Sequence, residues 1–126
     1  MGFAAAYGLS VKPAGLSCAA LMVSGIAGVA MPERVGTALD LRPTTSRALA
    51  ETRAGLGGTY AALGAWGLLT RDPAVQRAVG LTWLGAAAVR LSALRVDRPR
   101  TDWTYWAFLV AEIGFGAAAL TSTRSP

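Results

Sequence analysis

The chain has 126 residues, of which 53% are hydrophobic and only 15% charged, and 12 basic residues against 7 acidic ones leave a net charge of +5. It holds a single cysteine and no histidine. An intrachain disulfide, a His/Cys metal site, and serine–histidine or cysteine–histidine catalysis are therefore excluded.

Four long windows avoid charge. Residues 14–31 and 54–70 have none, 78–94 has only Arg90, and 103–123 has only Glu112. Each matches the roughly 17–25 residues that a membrane-crossing helix needs. The expected spans are about 14–31, 50–70, 74–95 and 102–122, within a single domain of residues 1–126. The first run does not read as a cleaved signal peptide, because its nearby base, Lys12, follows an apolar start instead of opening the chain. Cys18 is expected to be a small apolar residue within it. Pro32 ends this run, and Val35 and Leu39 then allow a short interfacial helix. Ser46 can cap the second helix. Asp72-Pro73 is a cap followed by proline at the first helical position, so the third helix should begin there. Pro99 breaks the chain again, and Thr101 or Asp102 can cap the fourth helix. Trp103, Tyr105 and Trp106 suit one membrane interface and Trp66 the other. Two of the connections are short, so neighbours should run antiparallel. The expected fold is all-α, an integral membrane antiparallel four-helix bundle.

The stretch "ETRAGLGGTY" does not form a phosphate loop. The third glycine of G-x-G-x-x-G would fall on Tyr60, no strand precedes it, and a Walker lysine is absent. In lipid, small residues let helix backbones approach. Gly57, Ala61 and Gly64 form one stripe, with Ala54, Gly58 and Ala62 beside it. Gly114 and Ala118, and Ser24 and Gly28, are further small pairs. Gly57, Gly58, Gly64 and Gly114 are thus the expected helix-packing positions.

Antiparallel order places Glu51 and Arg53, Arg90, and the start of span four at one side. Arg90 then lies ~6 Å deep and Glu112 ~13 Å deep at about 1.5 Å per residue. A lone carboxylate at that depth is costly, so Glu112 must face the bundle interior. The expected polar cluster is Glu51, Arg53, Tyr60, Arg90 and Glu112, with Glu112 contacting Arg90 directly and Arg53 or Tyr60 directly or through water. It serves either to fix helix register or, as a pocket open toward the two arginine-rich connections around Arg34, Arg42 and Arg47 and around Arg95, Arg98 and Arg100, to hold a ligand headgroup or proton.

Glu51, Arg53, Gly57 and Gly58 form E-x-R-x-x-x-G-G, followed by Arg90 late in span three and Glu112 in span four. In these features the chain resembles a bacterial family of small four-span membrane proteins catalogued as domain of unknown function, number 4345. Val89 departs from the glycine that the family usually carries before its span-three arginine. The resemblance implies the fold and supplies no activity.

The expected role is an accessory or interaction subunit of a larger membrane complex, such as an envelope lipid transporter or respiratory assembly. The alternative is a free-standing binder of a lipid or other amphipathic molecule through the Arg/Glu pocket. No catalytic residue, cofactor or metal is expected. The expected partners are membrane lipids and a membrane protein or second copy of the chain. Nucleic acid is not expected, because the basic residues sit between apolar runs and suit anionic headgroups. Arginine over lysine, with abundant alanine and glycine, fits a GC-rich bacterial genome, and with four spans the expected location is a bacterial inner membrane, multi-pass.

Overall fold

The computed structural model describes residues 12–122. The apolar start and the last four residues lie outside the described residues.

Helix α1 (Pro13–Ala30) starts with proline at its first position, where a missing N–H costs nothing, and ends with the Met31 N–H donating to the Ala27 carbonyl at 2.7 Å. Helix α2 (Pro32–Ala38) is the short connection helix. Helix α3 (Ser46–Thr52) is capped by Thr45, whose hydroxyl accepts from the Ala48 N–H at 3.0 Å; the cap thus lies one residue before the expected Ser46. A π-helical turn, Arg53–Gly58, follows without a break and leads into α4 (Thr59–Thr70). Helix α5 (Pro73–Val96) opens on Asp72, whose carboxylate accepts from the Ala74 N–H at 2.9 Å. Helix α6 (Trp103–Ser122) opens on Asp102, which accepts from the Tyr105 N–H at 3.1 Å.

The described residues are all helical or in turns. Helices α1, α5 and α6 are long and apolar enough to cross a membrane. The expectation of four uniform α-helical spans is corrected at the second one: residues 50–70 are not a single α-helix. Three glycines among the six residues of the π turn leave little side-chain bulk to oppose a widened helix. There the Ala54 carbonyl accepts from both the N–H and the hydroxyl of Thr59, the latter at 3.0 Å.

Helix α1 lies against the π turn and α4 in antiparallel order. Gly28 meets Leu56 and Gly57, Gly25 meets Gly57 and Ala61, and Gly64 meets Cys18 and Met22. The backbones touch. A Cβ added at Gly28 would lie 2.6 Å from the Leu56 carbonyl oxygen, and one at Gly64 would lie 2.6 Å from the Cys18 carbonyl oxygen. The stripe Gly57, Ala61, Gly64 therefore faces α1, and the neighbouring stripe of Ala54, Gly58 and Ala62 is turned outward and exposed. Gly114 is also exposed, with nothing within 4 Å of an added Cβ. Gly58 and Gly114, expected to pack helices together, meet no neighbouring helix among the described residues. Helices α5 and α6 pair antiparallel through Gly80 against Ala119 and Leu84 against Gly116.

The interior is made of small groups. Ala14, Cys18, Leu21, Val79, Ala87, Leu109 and Ala119 are buried, and the buried polar residues beside them are Ser17 and Glu112. The large apolar side chains point the other way, with Leu69 80% exposed and Val89 70%. In water such a surface would drive association. In hydrocarbon it is the natural outer face, because lipid tails are as apolar as leucine. The chain is a membrane-spanning protein.

Candidate functional site

Glu112 lies midway along α6, on the stripe that carries Tyr105, Leu109, Gly116 and Ala119 toward the other helices. It is only 4% exposed. The Nε–H of Arg90, six residues before the end of α5, donates to Glu112 Oε1 at 2.6 Å. The other carboxylate oxygen, Oε2, is buried and has no hydrogen-bond partner among the described residues.

Helix α6 also grips Arg90 at two further places. Its guanidinium carbon lies 5.2 Å from the Tyr105 ring centre and 5.7 Å from that of Phe108. The Tyr105 hydroxyl donates to the Arg90 backbone carbonyl at 2.7 Å. Tyr105, Phe108 and Glu112 are spaced three and four apart, so one helical face meets the arginine from ring to carboxylate.

Above this pair opens a cavity of 520 Å³. One wall is the end of α2 with the loop after it, residues 37–42, and the other is Pro99, Arg100 and the start of α6. Arg90 lines the cavity, and its side chain keeps 23% of its exposure. Asp40 and Arg42 form an exposed ion pair at 3.3 Å. Both hold left-handed backbone, at φ 57° and φ 33°, a conformation that costs about 1–3 kcal/mol where the residue is not glycine. That strain sits in the cavity wall. Asp102 is occupied by its own helix: the Thr104 hydroxyl donates to it at 2.6 Å, which with the Tyr105 N–H holds its carboxyl below the usual carboxylate value. Arg100 joins no ion pair among the described residues.

Of the five residues expected in one cluster, the structure brings two together. Glu51 is exposed and pairs with Arg47 one turn earlier, at 3.7 Å. Arg53, on the π turn, donates through Nη1 to the Val29 carbonyl in the last turn of α1. There it covers a carbonyl that the helix end leaves without a partner and sits at the negative end of the α1 dipole. Tyr60 is half-buried against the core of Cys18, Leu21 and Val79. Among the described residues, none of these three bonds to Arg90 or Glu112. The second helical run faces α1 here, and the pair lies between α5 and α6.

Sequence reasoning missed Phe108 and Asp40 and assigned Tyr105 to the interface alone, whereas Arg42 and Arg100 belong to the two arginine-rich connections toward which the pocket was expected to open. The aromatic signal was present, since Tyr105 and Phe108 share Glu112's helical face. Among the described residues, no group of three or more His, Cys, Asp or Glu could hold a metal ion.

No protein-family model matches the chain. No match is found among curated proteins or among solved structures. The reading of the site therefore rests on its own geometry.

Proposed function

We propose that this protein binds the anionic headgroup of a lipid or similar amphiphile, with Arg90 as the anchoring cation. The observation that carries the reading is the position of Arg90: its side chain lines the cavity, and a buried carboxylate on the neighbouring helix holds it from below. A guanidinium offers five donors in a planar fork suited to phosphate or carboxylate. Nε is engaged by Glu112, and the two Nη groups are left for a ligand. Arg42 and Arg100 stand at the same opening, and Tyr105 and Phe108 add apolar ring surface. An amphiphile would lay its headgroup among these bases and its tails along the exposed apolar faces of the helices.

In this reading the second helical run crosses the bilayer with the other three. The six residues of the π turn and the twelve of α4 rise ~27 Å at about 1.5 Å per residue, close to the ~30 Å of hydrocarbon. The likeness to the four-span family, a bacterial inner-membrane location and a non-enzymatic role belong to the same proposal. The test is purification in an uncharged mild detergent followed by native mass spectrometry. The wild type should retain an anionic lipid at one per chain, and Arg90→Gln should lose it. Equal retention by the two would reject the reading.

The accessory-subunit reading has one observation of its own. Gly85 and Gly114 sit exposed on α5 and α6 with nothing within 4 Å of an added Cβ, so a partner helix could approach there. A stoichiometric protein partner in the same purification, lost on Gly114→Leu, would favour it.

A further inference from the structure

Arg90 stands between an open cavity and a buried acid. Glu112 is 4% exposed, and its only bonded partner among the described residues is Arg90. Its second oxygen already has none. From α5 the ionisable group facing it is Arg90. On its own helix, Tyr105 is engaged with the Arg90 carbonyl. On α1 the ionisable side chains are Cys18, packed against Gly64 and Gly67, and Lys12 at the exposed start. On α4 there is Tyr60, packed in the core. The remaining charges of the site, Asp40, Arg42, Arg100 and Asp102, line the cavity above. One cation therefore serves the carboxylate, and the same cation is the one presented to a ligand.

We infer that the site captures its anion together with a proton, which Glu112 receives. The inference rests on the headgroup-binding reading above. When an anion docks on the free Nη groups of Arg90, two negative charges share one positive charge inside the membrane. A carboxylate that loses part of its counter-charge in that medium is strongly disfavoured, and taking a proton from solvent neutralises it. The protonated carboxyl keeps one oxygen to accept from Arg90 Nε–H and gains an O–H donor on a side that now has no partner. The charge of Arg90 is then released to the ligand. Binding and proton uptake are one coupled event, so a drop in pH loads the site and a rise empties it.

Isothermal calorimetry in an uncharged detergent tests this with short-chain phosphatidylglycerol as the probe. From about pH 5 to pH 6.5 its phosphodiester, the arginines, the α-amino group and the thiol all keep their charge, and the chain has no histidine, so any proton taken up there belongs to a carboxyl of the protein. Titrations in two buffers of different ionisation enthalpy should give close to one proton taken up per lipid bound. Apparent affinity should rise by up to about tenfold for each unit of falling pH. Glu112→Gln should bind with no proton uptake and no pH dependence. Sulfate, a free anion that stays ionised, separates the sources. The same uptake with sulfate supports the inference with a free anion as ligand, and uptake with the lipid alone supports it with a headgroup. Binding of phosphatidylglycerol without uptake in the wild type overturns the inference and leaves headgroup binding intact. So does uptake that persists in Glu112→Gln, which would assign it to Asp40 or Asp102. Should the variant not fold, the wild-type proton count decides by itself. Absence of binding by either probe at every pH removes both readings.

Discussion

Glu112 and Asp102 are carboxylates ten residues apart on one helix, and their surroundings give them opposite tasks. Glu112 is inside, held by a single arginine. Removing it leaves Arg90 facing the bundle interior without its counter-ion. Glu112→Ala should destabilise the protein by roughly 3–5 kcal/mol on the scale of soluble proteins, less in a membrane where unfolded helices also find partners. Glu112→Gln retains the shape and an acceptor for Arg90 Nε–H and should cost distinctly less. Reversible unfolding in mixed micelles measures both, and equal losses would reject the ion pair as the cause. Asp102 is at the surface, and the Thr104 hydroxyl and the Tyr105 N–H bind its charged form. Its carboxyl is depressed below the ordinary value of 3.8. A depressed carboxyl stabilises the fold fully above its unfolded value and loses that contribution as pH falls through the folded one. The melting difference between wild type and Asp102→Asn should therefore hold at neutral pH and shrink in acid below about 3.8. A difference that stays flat through acid would refute the capping charge.

Among the helices, the tightest constraint is the seam of α1 against the π turn and α4. Gly64 has the Cys18 carbonyl and the Met22 backbone where a side chain would stand, so a methyl group must push two helices apart. Gly64→Ala should cost about 1–3 kcal/mol, the usual range for overpacking. Gly114→Ala meets no atom of the described residues and should be neutral or slightly stabilising, since alanine is the better helix former. Thermal unfolding of the two variants in one detergent checks the contrast. Equal destabilisation would mean that the α1 seam is loose enough to admit a methyl group. The π turn belongs to the same seam. Its buried glycine, Gly57, lets the second helical run lie against α1, and Arg53 at its start reaches the α1 terminus, away from Glu112.

For the molecule as a whole, the α3–π–α4 run should cross the membrane and place its two ends on opposite sides. Thr44 precedes the run and Ala74 follows it, both exposed. Single cysteines at these positions, introduced one at a time with Cys18→Ala, should label from opposite sides of sealed vesicles. Labelling from the same side would make the run re-entrant and leave three crossings. The two arginine-rich connections meet at one end of the bundle, where residues 37–42 and 99–105 together wall the cavity. By the positive-inside rule this end should be cytoplasmic, with Thr44 labelled from within.

The charge-free windows, the cap at Asp72-Pro73 and the proline breaks depend on local chemistry, and the sequence alone determined them: an all-α membrane chain with helix limits within a few residues. It also determined that Glu112 must turn inward, because a carboxylate flanked by long apolar stretches has no stable place in lipid. Which cation it meets is a different kind of fact. Arg53 and Arg90 were both within reach by depth along a helix. Depth does not say which face of a helix meets which neighbour. The tertiary structure decided that when the glycine seam committed the second run to α1 and left α5 and α6 to pair with each other. The same packing decided that Asp40 and Arg42, distant in sequence from Arg90, stand over it. Side-chain spacing within a helix is legible from one chain, whereas the rotation of each helix about its axis is set by the backbones it packs against.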